Sequence, residues 1–366
     1  MKPAFGRILG VLIGLAVVGV AVGWKLLHRP PKAAAAALGE PATLQGKLGG
    51  EKAGFAEDPQ VVAALARYGL TLSHRKAGSV EMMREPTAGL DFLWPASQVN
   101  LEDFRAAGGD PAQAEEAFHS PLVFYSWDVI TEALVTNGLV QKEAETYYVT
   151  DLPKLIGLID QKKKWADLGL SQFRSSILIH TTDPARSNSG NTWAALLASA
   201  YNDGEVLTAD KAAVILPKVK ALFDRMGFME SSSGTLFDKF LKQGAGAYPI
   251  IVAYENQLLE FAAEHPELIE PVRQKLRVCY PRPTVWASHP VIALTPNGKR
   301  LIAALKDPQL QRLAWERHGF RSGLMGAVQV AKLPMPGVPP TIDAVLPMPS
   351  LAVWTRLTEA LNTNPR

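Results

Sequence analysis

Hydrophobic and polar positions change rhythm several times along this chain, and each change marks an element. Ile8 to Gly23 (ILGVLIGLAVVGVAVG) is an unbroken run of apolar residues and glycine, with Lys2 and Arg7 before it and the KLLHRPPK stretch after it. A basic start, an apolar stretch of about 7–15 residues and a small-residue end such as Ala21-Val22-Gly23 describe a secretory signal. Read on through Leu26 and Leu27, the run approaches the roughly 20 residues of a membrane span. Residues 1–29 are therefore expected to be a signal peptide or a signal anchor, with membrane contact through residues 8–27 if it is not cleaved. Lys25, Arg29 and Lys32 balance the basic residues on the other side, so charge asymmetry leaves the orientation open. No cysteine follows the run, which excludes a lipidated N-terminus. Residues 30–42, rich in alanine and proline, read as a tether.

Beyond the tether, short apolar runs alternate with helical periodicity. Thr43–Leu48 reads as a strand and Gly49-Gly50-Glu51-Lys52 as a turn. Asp58-Pro59, an N-cap followed by proline at the first helical position, opens a helix to about Arg67. Leu70–Lys76 is the next strand, a short helix follows from Val80, and Phe92–Trp94 is a third strand ending at Pro95-Ala96-Ser97. Three strand–turn–helix units in so short a stretch predict a parallel α/β sheet. The middle of the chain repeats the theme. Ser175–His180 (SSILIH) is apolar enough for a buried strand, and NTWAALLASAY is a helix. Further helices are expected over 209–226 and 236–243, with a buried strand over Tyr248–Ala253 and a helix from Asn256. Thr284–Leu294 reads as one long extended segment, followed by helices over 298–305 and 308–318, a proline-rich stretch over 333–349 and a final helix. The expected organisation is two α/β lobes: 43–126 for the first part of lobe 1, 127–283 for lobe 2, and 284–366 for the return to lobe 1 with the C-terminal helix. The chain is expected to cross between lobes near Val123–Trp127 and again near Tyr254 or Val285.

Composition sharpens this. With 366 residues, 47% hydrophobic and 20% charged, the chain is long enough for two cores and too apolar to be disordered. The net charge of +3 is misleading. Five of the 38 basic residues and none of the acidic ones lie in residues 1–32, leaving 33 basic against 35 acidic residues, a net of −2, for the rest. A basic face for nucleic acid is therefore not expected. The single cysteine, Cys279, rules out an internal disulfide and a cysteine-based zinc cluster, and its apolar setting (LRVCY) reads as an inert buried thiol. The seven histidines lack metal-ligand spacing, and His180 and His289 read as core residues. No nucleophile elbow, phosphate-binding P-loop, zincin motif or dinucleotide fingerprint occurs, so no catalytic residue, metal or cofactor is assigned and an enzyme is not expected.

The turns carry the candidate chemistry. In an open α/β sheet, ligands sit beyond the carboxyl ends of the strands, where helix N-termini offer unpaired N–H groups and a positive dipole end. This chain repeats small polar residues at such turns: Gly50-Glu51, Gly78-Ser79, Ala96-Ser97, and above all the run Ser187-Asn188-Ser189-Gly190-Asn191-Thr192 with Arg186 before it. Plain helix capping explains each turn singly. Their repetition makes Glu51, Gly78, Ser79, Ala96, Ser97, Arg186, Ser187, Asn188, Ser189, Gly190, Asn191 and Thr192 candidate ligand-binding residues. Tyr254, at the end of a buried strand, joins them as a cleft candidate. Ser231-Ser232-Ser233 reads as a loop and cap.

Several segments together resemble the type II periplasmic (extracellular) solute-binding proteins, in the branch related to phosphate- and molybdate-binding proteins: GGEKAGFAEDPQVVAALARYGL, AGSVEMM, TTDPARSNSGNTWAALLAS, GAYPIIVAYENQLLEFA and YPRPTVWASHPVIALTPNGKRLIAAL. The resemblance spans about Thr43 to His318. It implies two α/β lobes joined by a hinge and closing on a small anionic or polar solute, outside the cytoplasm, with an ABC-type importer and its permease as partner. The phosphate-binding pattern partly matches Arg186, Ser187, Gly190 and Thr192. It departs at Asn188, where that family has an acid, and at Gly50, where relatives often have serine. Tyr254 matches a tyrosine at the lobe crossing of molybdate binders. A membrane-anchored sensory or structural module of the same fold is the alternative.

Overall fold

A computed structural model describes residues 40–322, 333 and 335–362. The expected leader over residues 1–29 and most of the tether lie outside the described residues. The chain divides after Pro41, and all elements below belong to the part Ala42–Arg366. Among the described residues no helix is long and apolar enough to cross a membrane.

The first strands form where the patterning predicts them: β1 (Ala42–Leu48), β2 (Leu70–Lys76) and β3 (Phe92–Trp94). Between β1 and β2 lie α1 (Ala53–Glu57) and α2 (Pro59–Ala66). The Asp58 side chain caps α2 by accepting from the Gln60 N–H at 2.7 Å, with Pro59 at the first position. A four-residue helix α3 (Ser79–Met82) precedes β3, and α4 (Gln98–Ala106) follows it. β1 pairs in parallel with both β2 and β3, so the predicted parallel sheet is present. β4 (Gln113–Glu116) lies at the edge of the same sheet.

The chain then changes sheets between Glu116 and Ser120. β5 (Ser120–Trp127) is central in a second, seven-stranded sheet, and all its residues but Trp127 are buried, as a strand covered on both faces must be. α5 (Asp128–Thr136), the hairpin of β6 (Val140–Glu143) and β7 (Thr146–Val149), and α6 (Leu152–Asp160) follow. Next come α7 (Asn188–Ala200), α8 (Ala212–Asp224) and α9 (Ser233–Ala247), the last broken at Gly244, where φ is +74°. β8 (Ile250–Tyr254) runs antiparallel to β5. α10 (Glu255–Glu264) and α11 (Ile269–Lys275) lead to β9 (Leu276–Pro281), which also pairs antiparallel with β5.

The segment expected to be extended over Thr284–Leu294 forms two strands. β10 (Thr284–Ala287) pairs with β5 in the second sheet, and β11 (Pro290–Ala293) pairs with β3 and β4 in the first. The break falls at Ser288-His289, where His289 has a left-handed φ of +40°. α12 (Pro296–Leu305) and α13 (Pro308–His318) pack on the first sheet. β12 (Val345–Leu346) pairs with β10, and α14 (Leu351–Leu361) packs Val353, Leu357 and Leu361 into the core beside the second sheet.

Two expectations are thereby corrected, and a third is resolved between its alternatives. Val123–Trp127 lies inside β5, and the chain changes sheets earlier, at residues 117–119. Of the two expected return points, Tyr254 ends β8 within the second sheet, and the return falls at Ser288-His289, close to Val285. Ser175–His180 is not a regular strand: only isolated bridges form, Lys164 with Ser176 and His180 with Ile251. Ile177 and Ile179 are fully buried, so the apolar run records burial, but its alignment with β8 is too brief to make a ladder.

Each sheet has its own core. Leu44, Leu48, Phe55, Trp94, Phe118 and Leu301 fill one side of the first sheet. The second sheet carries one cluster around Leu122, Phe124 and Trp193 and another around Tyr125, Phe237 and Phe240. Cys279 is 1% exposed in the former, and burial pushes its thiol up to about 12, so it is inert as its apolar setting predicts.

Candidate functional site

The turns after β1 and β2 meet the starts of α7 and α9 around a cleft of about 400 Å³. From the first sheet come Gly49, Gly50, Glu51, Lys76, Gly78 and Ser79. From the second come Arg186, Ser187, Asn188, Ser231, Ser232, Ser233 and Tyr254. Ser187 caps α7 and Ser232 caps α9, and neither side chain accepts from a backbone N–H of its own helix. The first N–H groups of two long helices are thereby left for something else. Arg186 and Lys76 stand exposed at the opening.

Two glycines bring the turns together. A Cβ on Gly78 would lie 2.1 Å from the Arg186 carbonyl oxygen, so only glycine lets the two turns touch across the cleft. A Cβ on Gly190 would lie 2.1 Å from the Thr182 carbonyl oxygen. Gly190 thus permits close backbone approach, but by the protein's own loop and not by a ligand.

Seven of the thirteen candidates line this cleft: Glu51, Gly78, Ser79, Arg186, Ser187, Asn188 and Tyr254. The other six stand behind it. The Ala96 N–H donates to the Ser79 hydroxyl at 3.0 Å, and Ala96 and Ser97 are buried. Ser189 bonds Thr182 at 2.7 Å and Ser187 at 3.2 Å. Asn191 donates to Pro184 and to Thr358 on α14, at 3.3 and 2.8 Å. Thr192 accepts from Asn188 at 3.1 Å. From Asn188 onward the polar run is helical, so only its start can face the cleft, and the rest is buried in the core. Ser231-Ser232-Ser233, expected to be loop and cap, does cap α9 and also lines the cleft. Its position across from Gly50 was not legible locally, although a serine run before an amphipathic helix is the same signal that marked Ser187.

Charge at the site is organised around Glu51. Its carboxylate is ion-paired to Lys52, whose Nζ also lies 3.2 Å from His289 Nδ1. All three side chains are buried, Lys52 and His289 completely. Burial works against the charged form of Glu51, but Lys52 and His289 outweigh it and hold the carboxyl well below the usual range. Burial and the Lys52 charge push the His289 imidazole down to about 4, so it is neutral and accepts from Lys52. The positive-φ break between β10 and β11 is what delivers His289 to this place. Its sequence context marked it as a core residue and held no sign of the ion pair.

Tyr254 completes the wall. Its hydroxyl accepts from Asn188 Nδ2 at 2.9 Å, which leaves its own proton to donate. Burial, then the nearby Glu51 charge, raises this phenol well above its ordinary value, so it stays a neutral donor. Asn188 is 4% exposed and its Oδ1 has no partner. Among the described residues, no group of three or more His, Cys, Asp or Glu side chains could hold a metal ion. The arrangement can bind a small polar molecule reversibly; among the lining residues there is no nucleophile–base pair.

No protein-family model matches the chain, and no curated protein matches it in sequence. Solved structures do match. A substrate-binding protein of an ABC transporter from Agrobacterium tumefaciens is 15% identical, with 87% of this chain and 93% of that one covered and a TM-score of 0.54. Iron-bound HitA from Pseudomonas aeruginosa is 13% identical, covering 88% and 100%, with a TM-score of 0.52. The periplasmic binding protein AfuA from Actinobacillus pleuropneumoniae, with fructose 6-phosphate bound, is 14% identical, covering 87% and 96%, with a TM-score of 0.51. HitA and AfuA are described with the iron and the fructose 6-phosphate they hold, and the Agrobacterium protein as a substrate-binding protein. Two α/β sheets with separate cores, linked by chain crossings and facing each other across a polar cleft, give this chain the type II periplasmic binding protein fold.

Proposed function

We propose that this is an exported solute-binding protein that captures a small anionic or polar solute in the cleft between its sheets and hands it to an ABC-type importer. One observation carries the reading: the starts of α7 and α9 open into the cleft with their first N–H groups uncapped by side chains, beside Arg186, Lys76 and the Tyr254 hydroxyl. Such N-termini hold anions through backbone N–H groups without needing a large formal charge. A volume of about 400 Å³ falls in the range of small-molecule sites. The lobes follow sheet membership: 42–116 with 290–318 for the first, and 120–287 with 339–361 for the second. The apolar leader supports export to the periplasm or another extracytoplasmic space, as does the likeness of fold to a periplasmic binding protein. The closer affinity to phosphate- and molybdate-binding proteins is supported by the sequence resemblance.

The reading is tested by thermal unfolding of the full chain with inorganic phosphate, sulfate, molybdate and small organic anions and phosphates. A true ligand at a hundred times its Kd stabilises by about 2.7 kcal/mol, a rise of several degrees in Tm. No shift with any member of the panel at millimolar concentration counts against a binding role.

A further inference from the structure

The bound solute must answer what the walls present, and the walls present acceptors as well as donors. The Glu51 carboxylate lies at the cleft, yet the cation that keeps it ionised is out of a ligand's reach. Lys52 is fully buried, is not part of the cleft lining, and is already committed to Glu51 and His289. A carboxylate offers about four acceptor sites, and Lys52 meets only one of its two oxygens. Asn188 adds a second demand, because its Oδ1 is buried at the cleft wall without a partner. Turning that amide over would leave its NH₂ unpaired instead, so one polar atom of Asn188 awaits a ligand either way. Among charged lining residues, Glu51 and Glu81 balance Lys76 and Arg186.

Size points the same way. Water occupies about 30 Å³ per molecule, so the cleft would hold on the order of a dozen waters. A tetrahedral oxyanion of five heavy atoms would leave most of it wet.

Resting on the binding reading above, we propose that the cleft selects a solute that joins one anionic group to several O–H or N–H donors, with Glu51 reading the donors, and that bare oxyanions are poor ligands for it. The anionic group meets Arg186, Lys76 and the starts of α7 and α9. A hydroxyl or ammonium of the same solute donates to Glu51, and the Tyr254 hydroxyl donates to an acceptor between them. A fully ionised oxyanion brings no proton and meets the Glu51 carboxylate as a like charge.

Titration calorimetry on the full chain tests this with fructose 6-phosphate and glutamate, which supply hydroxyl and ammonium donors respectively, against sulfate, inorganic phosphate and uncharged fructose. At least one of the first two should bind at least about tenfold tighter than sulfate, the worth of one hydrogen bond to a charged group, and fructose should bind more weakly still. The double variant Glu51→Gln/Lys52→Met removes both charges of the buried pair together, and should bring that ratio within about threefold of unity. Its folding is checked by circular dichroism, and the wild-type ranking stands as a test without it. Sulfate binding as tightly as both donor-bearing probes would overturn the proposal while leaving solute capture intact, as would a folded double variant that keeps the wild-type ratio. Binding by none of the probes would overturn both.

Discussion

His289 shows how one residue can serve two neighbourhoods. Its left-handed backbone turns the chain from β10 to β11, its carbonyl accepts from Trp94 Nε1 at 3.0 Å, and its ring supports Lys52. The imidazole is held at about 4, below its ordinary 6.5. Between those values the unfolded chain binds a proton that the folded chain refuses, so stability rises with pH through that window and is fully present above 6.5. Glu51, held well below its ordinary range, acts in the same direction at more acid pH. Lowering the pH from 7 to 4 should therefore lower Tm, with His289 contributing at most about 3 kcal/mol. In His289→Gln, which keeps an acceptor for Lys52, melts recorded every half pH unit should show a flatter slope between 4 and 6.5. An unchanged slope would mean that His289 is not the group that titrates.

Among the elements, α14 is the one whose role its own sequence hides. Val353, Leu357 and Leu361 recur at helical spacing and enter the core beside the second sheet. Trp354, turned away from them, is fully buried against Val80 of α3 and Val99 of α4, which belong to the first sheet's side. Thr358 accepts from Asn191 of α7 at 2.8 Å. One helix thus grips the elements behind both halves of the cleft. Trp354→Ala should cost about 3–5 kcal/mol in denaturant unfolding. It should also weaken solute binding, because α3 carries the Gly78-Ser79 turn; a loss of stability with unchanged affinity would leave α14 a packing element only. The proline-rich stretch before α14 is pinned in its turn. Arg321 makes a two-pronged ion pair with the buried Glu255, at 2.6 and 2.8 Å, and donates to the carbonyls of Pro339 and Pro340.

Across the molecule, the two halves are in contact. The Gly78 turn rests on Arg186, and a Cβ at Gly50 would sit 3.3 Å from the Ser232 hydroxyl. Among the described residues, two short stretches carry the chain between sheets, residues 117–119 and Ser288-His289, and Arg321 forms a bridge with His119 beside the first of them. Such few and narrow connections suit hinge closure. In solution scattering, a saturating ligand should therefore shrink the radius of gyration of the free protein. Identical profiles with and without a ligand proven to bind would rule out hinge motion as the response.

Local chemistry could be read along the chain. β2 and β3 fall on the predicted residues, because short apolar runs bounded by glycine and proline leave a strand few alternatives. Asp58-Pro59 specified its helix start in the same local terms. The turns at Gly50-Glu51, Gly78-Ser79 and Arg186–Asn188 were legible as helix starts, and they do line the cleft. Packing in three dimensions settled which polar residues face which neighbours. Ser189, Asn191 and Thr192 belong to the same polar run as Asn188, but helical rotation turns them into the core, where they bond nearby loop and helix residues and α14. Ser231–Ser233 gained its place in the cleft from the packing of α9 against the turn after β1. The split of Thr284–Leu294 depended on two sheets competing for one extended segment, and no pattern along the chain records that. The ion pair of Glu51 and Lys52 has His289, 237 positions from Lys52, as its third member, and only the fold brings it there. Periodicity acts between neighbours in sequence, whereas burial and charge act between neighbours in space, and the site is made of the second kind.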